Sequence, residues 1–292
     1  MLEGVMMRSP DAWAVAVRSP GGGIDVTTAA FVSAIRRHRA LRLPLVRGVV
    51  ALAESMRLGL RALAISARAR LAAEGEAGGL DDGAATVTSV AVVALGIGAF
   101  FVVPAAVAHA LVSGPLAAFL AVETALRLAI YLAYASWIGR AAGLRRTLAY
   151  HGAEHMAIAC HEAGDRLTPE SALRHSRLHP RCGTNFLLVL MVLATVVYAP
   201  VGIPDWHWLL LSRILGVPVA VAISYEAIRW MGAGRGSAAV RALSRPGLAL
   251  QRLTTREPDR DQVEVAIAAL QPVLAAAEGG GAAAAGEAEL VA

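Results

Sequence analysis

Charge is scarce in this 292-residue chain, and its positive charge comes without a single lysine: 17% of residues are charged, 57% are hydrophobic, and all 27 basic residues are arginine. With a mean hydropathy of +0.56, that balance excludes a soluble globular domain and places the chain with integral membrane proteins. No aromatic-interleaved basic patch and no nucleic-acid module accompanies the arginines, which flank apolar runs where topology accounts for them, so nucleic acid is excluded as a partner. No cleavable signal peptide is expected, since Glu3 and then Arg8 follow Met1 without an apolar core. No internal repeat is present.

Four windows carry the apolar excess. Thr86 to Val112 is an uncharged run of 27 residues, long enough to cross a hydrocarbon core of roughly 30 Å. Leu116 to Ile138 is the second, with Glu123 and Arg127 at i, i+4 spacing so that each neutralises the other. Asn185 to Tyr198 crosses only if Gly183, Thr184 and the stretch to Ile203 contribute. Trp206 to Trp230 is the fourth, with Arg213 and Glu226 inside it; these charges and the Glu123/Arg127 pair are expected to hold helices together rather than conduct. The links Ser113-Gly114-Pro115 and Pro200 to Asp205 lack positive charge, whereas the first 70 residues, the segment Arg140 to Arg181 and the C-terminal tail hold nearly all of it. The expected topology is multi-pass in the cell membrane, both termini and the 139–183 segment cytoplasmic.

The expected fold class is mainly α: a polytopic helical membrane protein with about four transmembrane helices, a small N-terminal β-hairpin and a cytoplasmic helical His/Cys-rich segment. In chain order the expected parts are the hairpin region (1–30), a basic amphipathic helical segment (31–72), a linker (73–85), the first transmembrane pair (86–138), the His/Glu/Cys segment (139–183), the second pair (184–231), cytoplasmic C-terminal helices (232–274) and a disordered Ala/Gly/Glu tail (275–292). The amphipathic stretch from Arg39 to Arg70 suits either a bilayer surface with anionic head groups or the cytoplasmic face of the bundle. Glu54 on it either reaches a site or pairs with Arg57 or Arg61. Homo-oligomerisation is left open. Thr254-Thr255-Arg256-Glu257-Pro258-Asp259 reads as a helix start.

Chemistry concentrates between His151 and Cys182, which hold five of the eight histidines and both cysteines. His151 and His155 stand one helical turn apart with Glu154 between them, the H-x-x-E-H spacing of inverted zinc proteases, in which two His bind metal and the Glu is the base. Glu162, two turns past His155 on the same face, is the preferred third ligand. Thr168-Pro169-Glu170 starts a second helix, on which His175 and His179 would again be four apart before Pro180 ends it. His175 or His179 then completes the site across the Ala163-Gly164-Asp165 turn, with Cys182 as a soft ligand or as a thiolate beside Arg181. A reducing compartment argues against a Cys160 to Cys182 disulfide. His161 and His175 individually read as solvated, His38 and His207 as surface or interfacial, and Arg181 suits lipid phosphate as well as chemistry.

Five separated blocks, Leu2-Glu3-Gly4-Val5-Met6-Met7-Arg8, Pro44-Leu45-Val46-Arg47-Gly48 with Glu54-Ser55-Met56, Tyr150-His151-Gly152-Ala153-Glu154-His155, His179-Pro180-Arg181-Cys182-Gly183-Thr184, and Leu253-Thr254-Thr255-Arg256-Glu257-Pro258, together resemble the YqhQ family of bacterial membrane proteins, from residue 2 to about 270. The resemblance implies membership of a group catalogued as a domain of unknown function and sometimes labelled a predicted metal-dependent enzyme. Carried over residue by residue, that label falls on His151, Glu154, His155, His179 and Cys182. It also implies a few further residues, including a Gly-Gly-Gln-Ala-like stretch, ahead of Leu2.

Three functional classes follow. A divalent metal, Zn²⁺ by preference, held by His151 and His155 with Glu162, His179 or Cys182, would acidify a water whose proton Glu154 takes, hydrolysing a peptide or lipid-linked substrate. A closed four-ligand site would instead make the protein a membrane scaffold or assembly factor, its histidines otherwise binding lipid head groups. The third class moves a metal ion or small solute, against which stand the few polar residues in the spans.

Overall fold

The structure is a computed structural model that describes residues 3–19, 21–73, 82–233 and 237–279. In chain order it comprises strands β1 (Gly4–Arg8), β2 (Ala12–Arg18) and β3 (Ile24–Ala30), then helices α1 (Ala34–Arg37), α2 (Val46–Ala73), α3 (Asp82–Ile97), a π-helical turn Gly98–Val102, α4 (Val103–Leu111), α5 (Leu116–Arg140), α6 (Arg145–Glu162), α7 (Pro169–Ala172), α8 (Gly183–Tyr198), α9 (Trp206–Ala233), α10 (Ala238–Thr254) and α11 (Arg260–Gly279). Among the described residues, four helical stretches are long and apolar enough to cross a membrane: Val87–Leu111, Leu116–Arg140, Gly183–Val201 and Trp206–Gly232. Exposed Tyr134, Trp137 and Trp230 ring one end of this bundle, and Trp206 and Trp208 the other, as aromatic side chains do at the two membrane–water interfaces.

The expected hairpin is a three-stranded antiparallel sheet in the order β1-β2-β3. The third strand was hidden because Asp25, Val26, Thr27 and Thr28 are all exposed, which leaves no buried/exposed alternation to read. Central β2 is buried on both faces. Its small residues, Ala14 and Ala16, let α6 and α11 pack closely through Ala153, Ala157, Ala266 and Leu270, while Trp13, Val15 and Val17 on the opposite face meet Leu58 and Ala62 of α2. The N-terminal sheet, α6 and α11 therefore share one core outside the apolar bundle, which requires them to lie on the same side of it.

Pro44 delays the amphipathic helix to Val46, with a 3₁₀ turn at Arg39–Arg42 before it. Leu58 and Ala62 of α2 are buried, and Val49, Met56, Leu60 and Leu63 remain exposed. Glu54 pairs with neither Arg57 nor Arg61. It accepts hydrogen bonds from Arg8, from the Ser33 hydroxyl (2.8 Å) and from the Ala34 N–H (2.7 Å), and so closes the first turn of α1. The linker expected at 73–85 lies for the most part outside the described residues. Of the tail expected to be disordered, α11 takes the residues through Gly279, as alanine's helix preference favours; the remainder lies outside the described residues.

Inside the bundle, Glu123 binds two guanidiniums. Arg127 reaches it from one turn along α5, and Arg213 of α9 grips it with two bonds of 3.0 and 2.6 Å. All three side chains are buried. Arg127 also donates to the Phe100 carbonyl (3.0 Å), which lies in the π-helical turn, where the loosened ladder frees backbone acceptors. Both guanidiniums face the Tyr198 ring, at 5.5 and 4.5 Å from its centroid. Arg213 and Glu226 do not act together: Glu226 is bound by Arg47 of α2. Glu123→Gln leaves two buried cations without an anion, and we expect it to cost about 3–5 kcal/mol, read as a large fall in the thermal midpoint in detergent. Glu226→Gln, at a partly exposed pair, should cost much less.

Candidate metal centre

The site forms where the polar segment meets the bundle. His151 and His155 project from α6 at helical spacing, and Cys182 sits at the N-cap of α8, its sulfur receiving the Thr184 N–H at 3.5 Å. One ligand atom from each of His151, His155 and Cys182 lies within 4.8 Å of the other two. The imidazole centroids are 4.5 Å apart, and Cys182 Sγ is 3.3 Å from His151 Nε2.

Backbone carbonyls fix the tautomers. His151 Nδ1–H donates to Thr254 O at 2.8 Å, and His155 Nδ1–H to Arg177 O at 2.7 Å. A carbonyl can only accept, so the proton of each neutral ring sits on Nδ1 and the Nε2 lone pair is free to bind. His155 Nε2 is buried without a hydrogen-bond partner, a state that costs about 1–3 kcal/mol unless something fills it. Two imidazoles and a sulfur, each histidine anchored through its other nitrogen, are the donor set and support that a transition metal takes.

Glu162 and His179 lie outside this group. Seven residues along a helix rise about 10 Å, so Glu162 shares the face of His155 but stands well beyond it. Its carboxylate binds Arg181 and, at 3.4 Å, His179 Nε2. His179 Nδ1 accepts the Arg181 N–H at 3.4 Å, so both nitrogens of this ring are engaged, although the ring is only 5.8 Å from that of His155. The helix expected to carry His175 and His179 does begin with Thr168 as N-cap and Pro169 in its first turn, but it ends at Ala172. The chain leaves it so that Gln251 of α10 can clamp the His179 backbone, accepting its N–H (2.8 Å) and donating to its carbonyl (2.7 Å). His175 turns outward to Asp165 at 2.9 Å. Cys160 and Cys182 are both free thiols.

Glu154 shares with His151 a cavity of about 230 Å³ whose wall includes Gly4, Val5, Thr147 and Tyr150. Burial pushes its carboxyl up to about 7, against the pull of the neighbouring His151. At the same wall Tyr150 donates to Glu3 at 3.1 Å, and burial together with the Glu3 charge pushes its phenol up to about 12.

Residues 253–257 roof the site, and the helix start expected in Thr254 to Asp259 falls at its far end, where Asp259 caps α11. α10 ends at Thr254 and α11 begins at Arg260, and the extended strap between them lies against α5 and α6. The Arg256 N–H donates to Leu148 O (2.9 Å), the Arg256 guanidinium reaches Gly139 O, and Arg177 ties Thr255 through its carbonyl (3.1 Å) and hydroxyl (2.6 Å). The approach is so close that a Cβ on Gly152 would fall on the Arg256 carbonyl oxygen, and one on Gly139 on that of Leu253. Gly152→Ala should therefore destabilise by about 1–3 kcal/mol. A fall in thermal midpoint is expected for it, and none for Gly143→Ala, where a Cβ meets nothing within 4 Å.

The comparisons with known proteins agree with the sequence resemblance. Residues 43–276 match a family model described as a protein of unknown function (DUF1385). The chain is 30% identical over 295 residues to the "Uncharacterized protein YqhQ" of Bacillus subtilis (strain 168), covering 94% of this chain and 90% of that protein. No solved structure matches.

Proposed function

The chain belongs to the DUF1385 family of proteins of unknown function, and for it we propose a multi-pass membrane protein that holds one divalent transition metal between His151, His155 and Cys182 and uses it to hydrolyse a peptide or lipid-linked substrate at the cytoplasmic face. The observation that carries the reading is the convergence of three ligand atoms within 4.8 Å, one of them a buried, unpartnered imidazole nitrogen. Imidazole and thiolate suit zinc or copper rather than magnesium or calcium, and three protein ligands are the number that a catalytic zinc takes. Bound there, Zn²⁺ would supply Lewis acidity to an oxygen at its fourth position.

The chain's own residues divide the remaining work. Thr254 O and Arg177 O hold the two rings in the binding tautomer, Cys182 would hold the metal at the mouth of α8, and Glu154, in the cavity it shares with His151, would take the proton of the attacking water. The cytoplasmic placement rests on arginine, which is absent from both short links and dense in the three segments that share the extramembrane core.

A second reading has its own support. His155 and Cys182 are buried, as ligands of a structural metal are, and such a metal would fasten α6 to α8. Elemental analysis of detergent-purified protein should find about one equivalent of zinc in the wild type and none in a folded His151→Ala/His155→Ala variant. No metal after incubation with Zn²⁺, Mn²⁺ and Fe²⁺ sinks both readings, and copper in place of zinc overturns the hydrolytic one. Cobalt substitution then separates the two: added azide should perturb the visible spectrum of an open site, while an unmoved spectrum assigns a closed, structural one.

A further inference from the structure

A second cavity, of about 510 Å³, opens at the foot of α6 and is lined by Arg145, Arg146, Arg256, Glu257, Asp259 and Gln262. We propose that it binds the phosphate-bearing head group of an anionic phospholipid of the surrounding bilayer. Its position supports this. α5 ends at Arg140, five residues before Arg145, and the Arg256 guanidinium is anchored on Gly139 O. One turn earlier, Tyr134 and Trp137 are exposed with their rings 6.5 Å apart, the depth at which aromatic side chains mark the head-group layer.

The charges at the cavity leave one cation over. Arg146 is held bidentately by Glu3, with two bonds of 2.6 Å. Glu257 accepts from Arg177 at 2.7 Å. Asp259 closes a reciprocal cap with Gln262 at the start of α11, with bonds of 2.8 and 3.0 Å. Four guanidiniums (Arg145, Arg146, Arg177, Arg256) thus face three carboxylates (Glu3, Glu257, Asp259). Arg145 is exposed and has no polar partner among the described residues. No side chain caps the N-terminus of α6 beside it, so the positive end of that helix adds to the field. Paired arginines at the head-group level form the kind of basic pocket that anionic lipids occupy, the guanidinium fork matching a phosphate oxygen pair. The site does not depend on the metal, since none of the ligands lines it.

The test titrates detergent-purified wild type, Arg145→Gln and Arg145→Gln/Arg256→Gln with short-chain phosphatidylglycerol, short-chain phosphatidylcholine and inorganic phosphate at low salt, scoring bound species by native mass spectrometry. Phosphatidylglycerol should bind the wild type at least tenfold more tightly than phosphatidylcholine. Arg145→Gln should lose roughly fivefold for phosphatidylglycerol alone, and the double variant more. Since Arg256 also braces α5, circular dichroism checks the fold of the double variant, and the single variant decides should the double one fail to fold. Equal phosphatidylglycerol affinity in wild type and Arg145→Gln overturns the proposal. Inorganic phosphate binding as tightly as phosphatidylglycerol also overturns it, and assigns the cavity to a soluble phosphate.

Discussion

Everything around the His/Cys group depends on how closely the 253–257 strap lies against α5 and α6. Two glycines, Gly139 and Gly152, remove the side chains that would hold it away, and the backbone polar groups of the strap then serve the site. Thr254 O orients His151, while Thr255 anchors Arg177, whose own carbonyl orients His155. Both rings of the His/Cys group are thus positioned by one crossing, His151 directly and His155 through Arg177. Gln251, in the last turn of α10, adds the third element by clamping His179 and with it the loop that ends in Cys182. Residues far apart in the chain meet because a short extended segment replaces helix where two helices would otherwise run together.

The arginine-only composition has a structural counterpart. A guanidinium is planar and can satisfy a carboxylate, a carbonyl and a ring face at once, which a compact ammonium cannot. Arg127 does all three within the apolar bundle, on Glu123, Phe100 O and the Phe101 and Tyr198 rings. Only with such distributed partners can two cations be buried on one anion, because the excess positive charge is met by carbonyl dipoles and aromatic quadrupoles rather than by a second acid. The π-helical turn that supplies Phe100 O belongs to this arrangement.

The four spans were legible because each is a long run with little charge, and span three gains the length that Asn185 to Tyr198 lacks from Gly183 and Thr184 and from the stretch expected to run to Ile203, which stops at Val201. The grouping of His151, His155 and Cys182 was legible from helical spacing and the local density of ligand residues together. What could not be read were the consequences of tertiary bonds. His175 and His179 stand four apart in sequence and would share a helix face had Gln251 not drawn the chain out of the helix. Glu162 sits on the face of His155, yet face says nothing of axial rise, and the rise removes it. The partners of Glu54 and Glu226 are Arg8 and Arg47, more distant in sequence than the neighbours that spacing suggests. Thr254 and Thr255 gave one signal, the Leu253 to Pro258 block of the family resemblance, which announces the helix that follows but not the strap ahead of it, and Gln251 gave none.

α6 therefore carries two different chemistries on its sides. Arg145 and Ala149 are one turn apart and line the arginine cavity, while His151 and His155 are one turn apart and belong to the His/Cys group. At 100° per residue the step from Ala149 to His151 is about 200°, so the two pairs project on opposite sides of the helix. The strap touches both, since Arg256 lines the cavity and Thr254 orients His151. Thr254, the last residue of α10, and Arg256 in the extended stretch after it stand two apart against the same helix. The strap thus joins the wall of the cavity to the wall of the His/Cys group. Gly139 and Gly152 beneath it set how closely it lies against α5 and α6, and so how close the two walls stand.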